Sequence, residues 1–138
     1  MKNFWIKTAL AALLCLMVIS VADAKKKKSI EGVGKIEFAE KVYDFGKIKE
    51  KGGMVSHDFT FTNVGDGNLV VLKATAECGC TRPSFPDAPV APGKSNKIKV
   101  TYNPLGRPGH FEKVVTVTTT GNPRKVHLKI RGVVEEGK

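Results

Sequence analysis

The sequence predicts an all-β fold, an immunoglobulin-like antiparallel β-sandwich of about seven strands preceded by an N-terminal signal peptide. Three observations predict it. Apolar residues recur with a period of two in several short runs, Gly, Pro and Asn clusters separate those runs, and no segment after the first 24 residues has a helical period. With 138 residues, 41% of them apolar and 26% charged, the chain has the composition of one globular domain.

The N-terminal segment stands apart. Lys2 and Lys7 precede an apolar run over residues 8–22, and Ala22-Asp23-Ala24 has the small-x-small form of a signal-peptidase site. Cys15 lies within the run after Leu14, where a lipoprotein signal would carry a small residue, so it reads as apolar filler. The expected division is a signal peptide over 1–24, a basic tail over 25–34, the sandwich over 35–134 and a frayed end over 135–138. The expected destination is the periplasm or the exterior. Lys25, Lys26, Lys27 and Lys28 follow the apolar run, which leaves an uncleaved anchor as the alternative.

Each strand then follows from its pattern. Ile36 and Phe38 alternate with polar neighbours and lead to Tyr43-Asp44-Phe45-Gly46, two short strands broken at a glycine. Val55, His57, Phe59 and Phe61 share one face of a half-buried strand that ends in Asn63-Val64-Gly65-Asp66-Gly67-Asn68. The nearly unbroken apolar run over 69–76 predicts a strand buried on both sides or at a sheet centre. Prolines at 83, 86, 89 and 92 predict a stiff loop without ladder pairing. Ile98, Val100 and Tyr102 form the next inward set, then Phe111, Val115 and Val117, and finally Val126, Leu128 and Ile130 opposite outward His127, Lys129 and Arg131.

The formal net charge is +10, from 23 basic and 13 acidic side chains. On an exported chain this predicts attraction to an anionic membrane surface, through Lys25, Lys26, Lys27 and Lys28, or to an envelope polysaccharide or protein. The other lysines alternate with apolar residues on solvated strand faces with no aromatic stacking platform among them, so nucleic acid is excluded as a partner.

Unusual chemistry is concentrated at Cys78-Gly79-Cys80-Thr81-Arg82-Pro83. In an extended strand, residues two apart have Cα atoms about 6.5 to 6.8 Å apart on one face, the upper edge of what a disulfide accepts. Gly79 allows a kink that would shorten the span. A three-residue ring gives only about 1.6 kcal/mol of loop entropy, so such a bond would be a poor staple and an exchange-prone one. Three readings follow for Cys78 and Cys80. They are small buried residues shaping the loop, a disulfide or redox pair supported by Gly79, Thr81, Arg82 and Pro83, or two ligands for copper or zinc. The metal reading needs His57, His110 or Met54 nearby. No triad or paired carboxylates accompany them, so no catalytic residue and no cofactor is assigned.

The blocks Tyr43-Asp44-Phe45-Gly46-Lys47-Ile48, Phe59-Thr60-Phe61-Thr62-Asn63-Val64-Gly65, Cys78-Gly79-Cys80-Thr81-Arg82-Pro83, Ala91-Pro92-Gly93-Lys94-Ser95 and Gly106-Arg107-Pro108-Gly109-His110-Phe111 follow in order. Together they resemble the bacterial family called domain of unknown function 1573, and the first two also resemble Hydin-type immunoglobulin-like domains. The resemblance covers nearly the whole mature domain, with Asn96 a departure where the family often has glycine. It implies an exported, single-domain immunoglobulin-like module and no activity. The expected function is therefore a non-catalytic binding module of the cell envelope, acting through a strand edge or the loop over 82–92. The alternative is a thiol redox or metal-handling protein.

Overall fold

A computed structural model describes residues 32–137; the expected signal segment and the four lysines at 25–28 lie outside the described residues. Eight strands form two four-stranded sheets. The first sheet has the order β1 (Ile36–Phe38), β3 (Val55–Asn63), β6 (Ser95–Tyr102), β5 (Thr81–Ser84). The second has the order β2 (Val42–Lys49), β8 (Lys125–Glu135), β7 (Gly109–Thr119), β4 (Val71–Ala76). The sheets bury their inner faces against each other. Phe59, Phe61, Ile98, Val100 and Tyr102 meet Val115, Val117, Leu128 and Ile130, all essentially inaccessible to solvent. Each such side chain contributes roughly 1.5–3 kcal/mol relative to exposure. The alternation read from the sequence places all nine correctly.

Four expectations are corrected. The run over 69–76 is not at a sheet centre: β4 is the edge of the second sheet, and Leu72 is 48% exposed. An apolar run signals burial, but here part of it comes from Leu69, which bridges Val90 outside the ladder. The proline-rich stretch does pair: β5 runs antiparallel to β6 with Pro83 opposite Val100. An edge strand tolerates proline because one side of its backbone needs no partner. This adds the eighth strand. The sandwich is also not wholly antiparallel, since β2 lies parallel to β8. The chain leaves the first sheet at Ala39, whose N–H donates to Thr60 O (3.1 Å), and joins the second at Lys41, whose O accepts from Lys129 N (2.8 Å). Finally, β8 takes in Glu135, where fraying was expected.

Within β2 the register shifts between Asp44 and Lys47, and Gly46 adopts φ +66°, a left-handed conformation that glycine alone enters freely. Asp44 fixes this bulge: Oδ1 accepts from Gly46 N (2.8 Å) and Oδ2 from Arg131 Nε (3.0 Å).

At one end of the sandwich the buried side chain of Asn63 uses its full hydrogen-bonding capacity. Oδ1 accepts from Lys35 N and Gly65 N (both 3.0 Å), and Nδ2 donates to Gly67 O and Val90 O (both 2.8 Å). One residue thus ties the entering chain, its own turn and the segment before β6. The backbones meet so closely here that a Cβ on Gly67 would fall on the Gly32 carbonyl, and one on Gly121 would strike Gly34 and Leu69.

Two outcomes are expected. Asn63→Ala, which removes the side-chain partner of four backbone groups and leaves only Val90 O with another donor, Leu69 N, should lower stability by about 3 kcal/mol, read from the urea midpoint at unchanged slope. The Asp44 carboxyl is held below the ordinary carboxylate range, chiefly by the Gly46 N–H and further by Arg131, with desolvation opposing. Because its folded-state pKa is depressed, its contribution is present above the unfolded value and is lost as pH falls through the folded one. The stability difference between wild type and Asp44→Asn should therefore shrink on acidification, and a difference that grows would contradict this.

Candidate functional site

The other end of the sandwich is built from the connections β2–β3, β4–β5 and β6–β7. The β4–β5 connection is only Glu77-Cys78-Gly79-Cys80, and it passes from the second sheet to the first. So short a crossing must turn tightly. Thr81 N donates to Cys78 O (3.1 Å), closing the turn, and Asn103 N donates to Cys80 O (2.9 Å), tying it to the end of β6.

The turn brings the two cysteine Cα atoms to 5.2 Å, shorter than an extended strand allows, and joins the sulfurs in a disulfide. Gly79 is not what permits this. A Cβ there would meet nothing within 4 Å, and its φ is not among the positive ones, so nothing in the structure requires glycine at 79.

The two sulfurs have different surroundings. Cys80 is 4% exposed and belongs to the core, whereas Cys78 is half-buried at its margin. Cys80 Sγ lies 3.6 Å from Thr81 Oγ1, and a disulfide sulfur carries no proton, so the buried hydroxyl is the donor. Cys80 N–H in turn donates to Cys78 Sγ (3.1 Å). Met54, Gly79, Cys80, Arg82, Thr101 and Asn103 line a cleft of about 30 Å³ beside the bond, room for about one water.

Tyr102 supports this end from below. It pairs with both Val55 and Thr81 and stacks on Phe111 with ring centroids 4.0 Å apart. Burial raises its hydroxyl pKa above the ordinary tyrosine value, with Arg107 opposing.

Of the residues considered as metal partners for the cysteines, only Met54 is brought to them. His57 is on β3, separated from β5 by β6, stacked on Tyr43 (3.5 Å) and bonded through Nε2 to Glu40 Oε1. Its partners satisfy it as a strand histidine. His110 lines a separate shallow depression with Asp44, Glu112 and Arg131. Among the described residues no three His, Cys, Asp or Glu side chains are grouped to hold a metal ion. Sequence reasoning missed Thr101 and Asn103 as neighbours of the cysteines. Their signal was present only as the Asn-Pro that closes the 98–102 strand.

A family model described as protein of unknown function (DUF1573) matches residues 36–134, from the first strand to the last. The chain belongs to the DUF1573 family. Comparison with curated proteins gave no match. Among solved structures, a protein of unknown function from Porphyromonas gingivalis W83 is similar at TM-score 0.63 and 15% identity, over 72% of this chain and 46% of that one. The ASH/PapD-like domain 7 of human CEP192 is similar at TM-score 0.58 and 16% identity, over 77% of this chain and 89% of that domain. The secreted serine protease VesC from Vibrio cholerae is similar at TM-score 0.54 and 16% identity, over 72% of this chain and 23% of the protease. The chain thus spans about half of the first protein and about a quarter of the protease. At these identities the DUF1573 chain shares with them a fold, an immunoglobulin-like or PapD-like sandwich.

The DUF1573 disulfide should matter little for stability. Reducing the Cys78–Cys80 bond, with both residues kept, should cost less than about 2 kcal/mol in a urea melt, because the ring it closes is so small. A loss of 4 kcal/mol or more, about the yield of a long-loop bridge, would assign it the role of a staple.

Proposed function

We propose that this protein is an exported, non-catalytic binding module whose contact surface is the cysteine-bearing end of the sandwich. The observation that carries this reading is a pair of large apolar side chains left in solvent at that end. Met54 is 60% and Leu105 57% exposed. They flank Asn103, which shares the cleft with Met54 and whose Oδ1 accepts from Leu105 N (3.1 Å). Glu50 Oε1 accepts from Gly106 N (3.0 Å), joining the two loops that carry them. Exposed Arg82 and Arg107 stand at the same end. Apolar anchors with cations around them suit a peptide segment that offers apolar side chains beside carboxylates.

The strand edges are less suited to pairing with a partner. β1 has only three residues, and β5 has four including Pro83. β2 is bulged at Gly46 and carries Lys47 and Lys49, while β4 is irregular between Val71 and Lys73 and exposes that lysine. Short length, proline, bulges and lysines are the devices that discourage edge-to-edge pairing. Val33 and Val64 are also exposed, but at the opposite end, beside the backbone-packed glycines.

The test is capture of a partner from the envelope fraction of the producing cell, followed by amide exchange of the complex. Met54→Glu/Leu105→Glu should melt like wild type and weaken binding by more than about tenfold. Amides near 54 and 105–107 should slow their exchange in the wild-type complex. Protection confined to β2 or β4 would move the contact to a sheet edge and overturn this reading.

A further inference from the structure

We propose that the Cys78–Cys80 bond is a thiol–disulfide exchange site that oxidises the dithiol of a partner protein, with Cys78 the sulfur attacked and Cys80 the sulfur that leaves. The asymmetry around the bond assigns these roles. Cys78 is the more open residue, half-buried at the margin of the core, whereas Cys80 is 4% exposed, so an incoming thiolate meets Cys78 first. Exchange requires the attacking sulfur, the attacked sulfur and the leaving sulfur to line up, so access decides which sulfur takes the partner.

The leaving side is prepared for charge. When the bond breaks, the electron pair goes to Cys80 Sγ, 3.6 Å from the Thr81 hydroxyl that already points its proton at it. Arg82 lines the same cleft as Cys80. Its guanidinium is not spent elsewhere: the ion pairs among the described residues involve Lys47, His57, Lys97, Lys129 and Arg131. Burial alone would raise the Cys80 thiol pKa, and a hydrogen bond and a cation bordering the same cleft act against that, making it a better leaving group than an ordinary buried thiol.

The step balances as follows. A partner thiolate attacks Cys78 Sγ, forming a mixed disulfide and releasing the Cys80 thiolate. The second partner thiolate then attacks the partner sulfur of that mixed disulfide, closes the partner's own disulfide and releases the Cys78 thiolate, which the Cys80 N–H is placed to stabilise (3.1 Å in the closed form). The partner dithiol loses two electrons, the cysteine pair gains them, and the two thiol protons of the partner end on Cys78 and Cys80. The turn bonds Thr81 N to Cys78 O and Asn103 N to Cys80 O involve backbone only, so they can hold the loop in place while the sulfurs part. A three-residue ring gains little from loop entropy, and donors to both sulfurs favour the thiolates, so the equilibrium leans toward the open pair.

The experiment places the oxidised full chain in glutathione buffers of fixed ratio at neutral pH, with acid quenching and peptide mass mapping. The bond should open in a buffer that leaves an ordinary structural disulfide closed. The transient glutathione adduct should sit on Cys78. Dithiothreitol should be oxidised one-for-one with protein. Thr81→Val should shift the equilibrium toward the closed bond by about fivefold, and Thr81→Ser should restore it. Should Thr81→Val fail to fold, Arg82→Gln at an exposed position carries the test through a slower opening rate. A bond that stays closed in excess glutathione, an adduct on Cys80, or an unchanged equilibrium and rate in these variants would overturn the proposal.

Discussion

The fold turns on one buried amide. Asn63 stands where the last residue of an inner strand meets the entering chain, a tight turn and the segment leading to β6, and each brings a buried or partly buried backbone group that needs a partner. A carboxamide offers two acceptor sites and two donors, and here all four are used, on Lys35, Gly65, Gly67 and Val90. Aspartate would lose the two donors, and leucine would strip the side-chain partner from all four, leaving only Val90 O with a second donor, Leu69 N. The side chain also requires small neighbours. Gly65 and Gly67 sit against Val33, Gly34 and Gly32 so closely that a methyl group would displace backbone.

Fixing one end in this way leaves the other to vary. β3 and β6 run from the Asn63 end to the cysteine end as a paired unit, with Phe59, Phe61, Ile98 and Val100 facing the second sheet, and they deliver Tyr102 beneath the cysteine turn. The turn therefore rests on a rigid floor although it is itself a four-residue crossing between sheets. Loops set on a rigid scaffold are where binding and chemistry concentrate, because their residues can change without disturbing the core. The exposed methionine and leucine, the arginines and the disulfide all occur at this end.

The position of the disulfide separates it from the bridges that staple small exported domains. It spans one intervening residue and ties neither sheet to the other beyond what the peptide chain already does. Its surroundings matter more than its span: one sulfur within the core beside a hydroxyl, the other at the surface margin beneath a backbone N–H. That inequality gives the bond a direction, which ring size alone would not.

Much of the fold was legible in the sequence because a period of two in apolar residues reports directly which side of a strand faces the core. Ile98, Val100, Tyr102, Val126, Leu128 and Ile130 are inward because solvent contact along those strands alternates, and the order of apolar and polar residues records it. The cysteine pair was legible as the place of unusual chemistry for the same local reason, a short spacing beside a cation and a proline. Edge or centre was not legible. β4 reads as buried and lies at an edge, and Pro83 reads as a break and lies in a ladder, because a strand's neighbours are set by pairing between residues far apart in the chain. Nor could the sequence say that Met54, Thr101 and Asn103 would border Cys80 while His57 would be held by Tyr43 and Glu40. Alternation is a property of one segment, whereas the company a side chain keeps is decided only when two sheets close on each other.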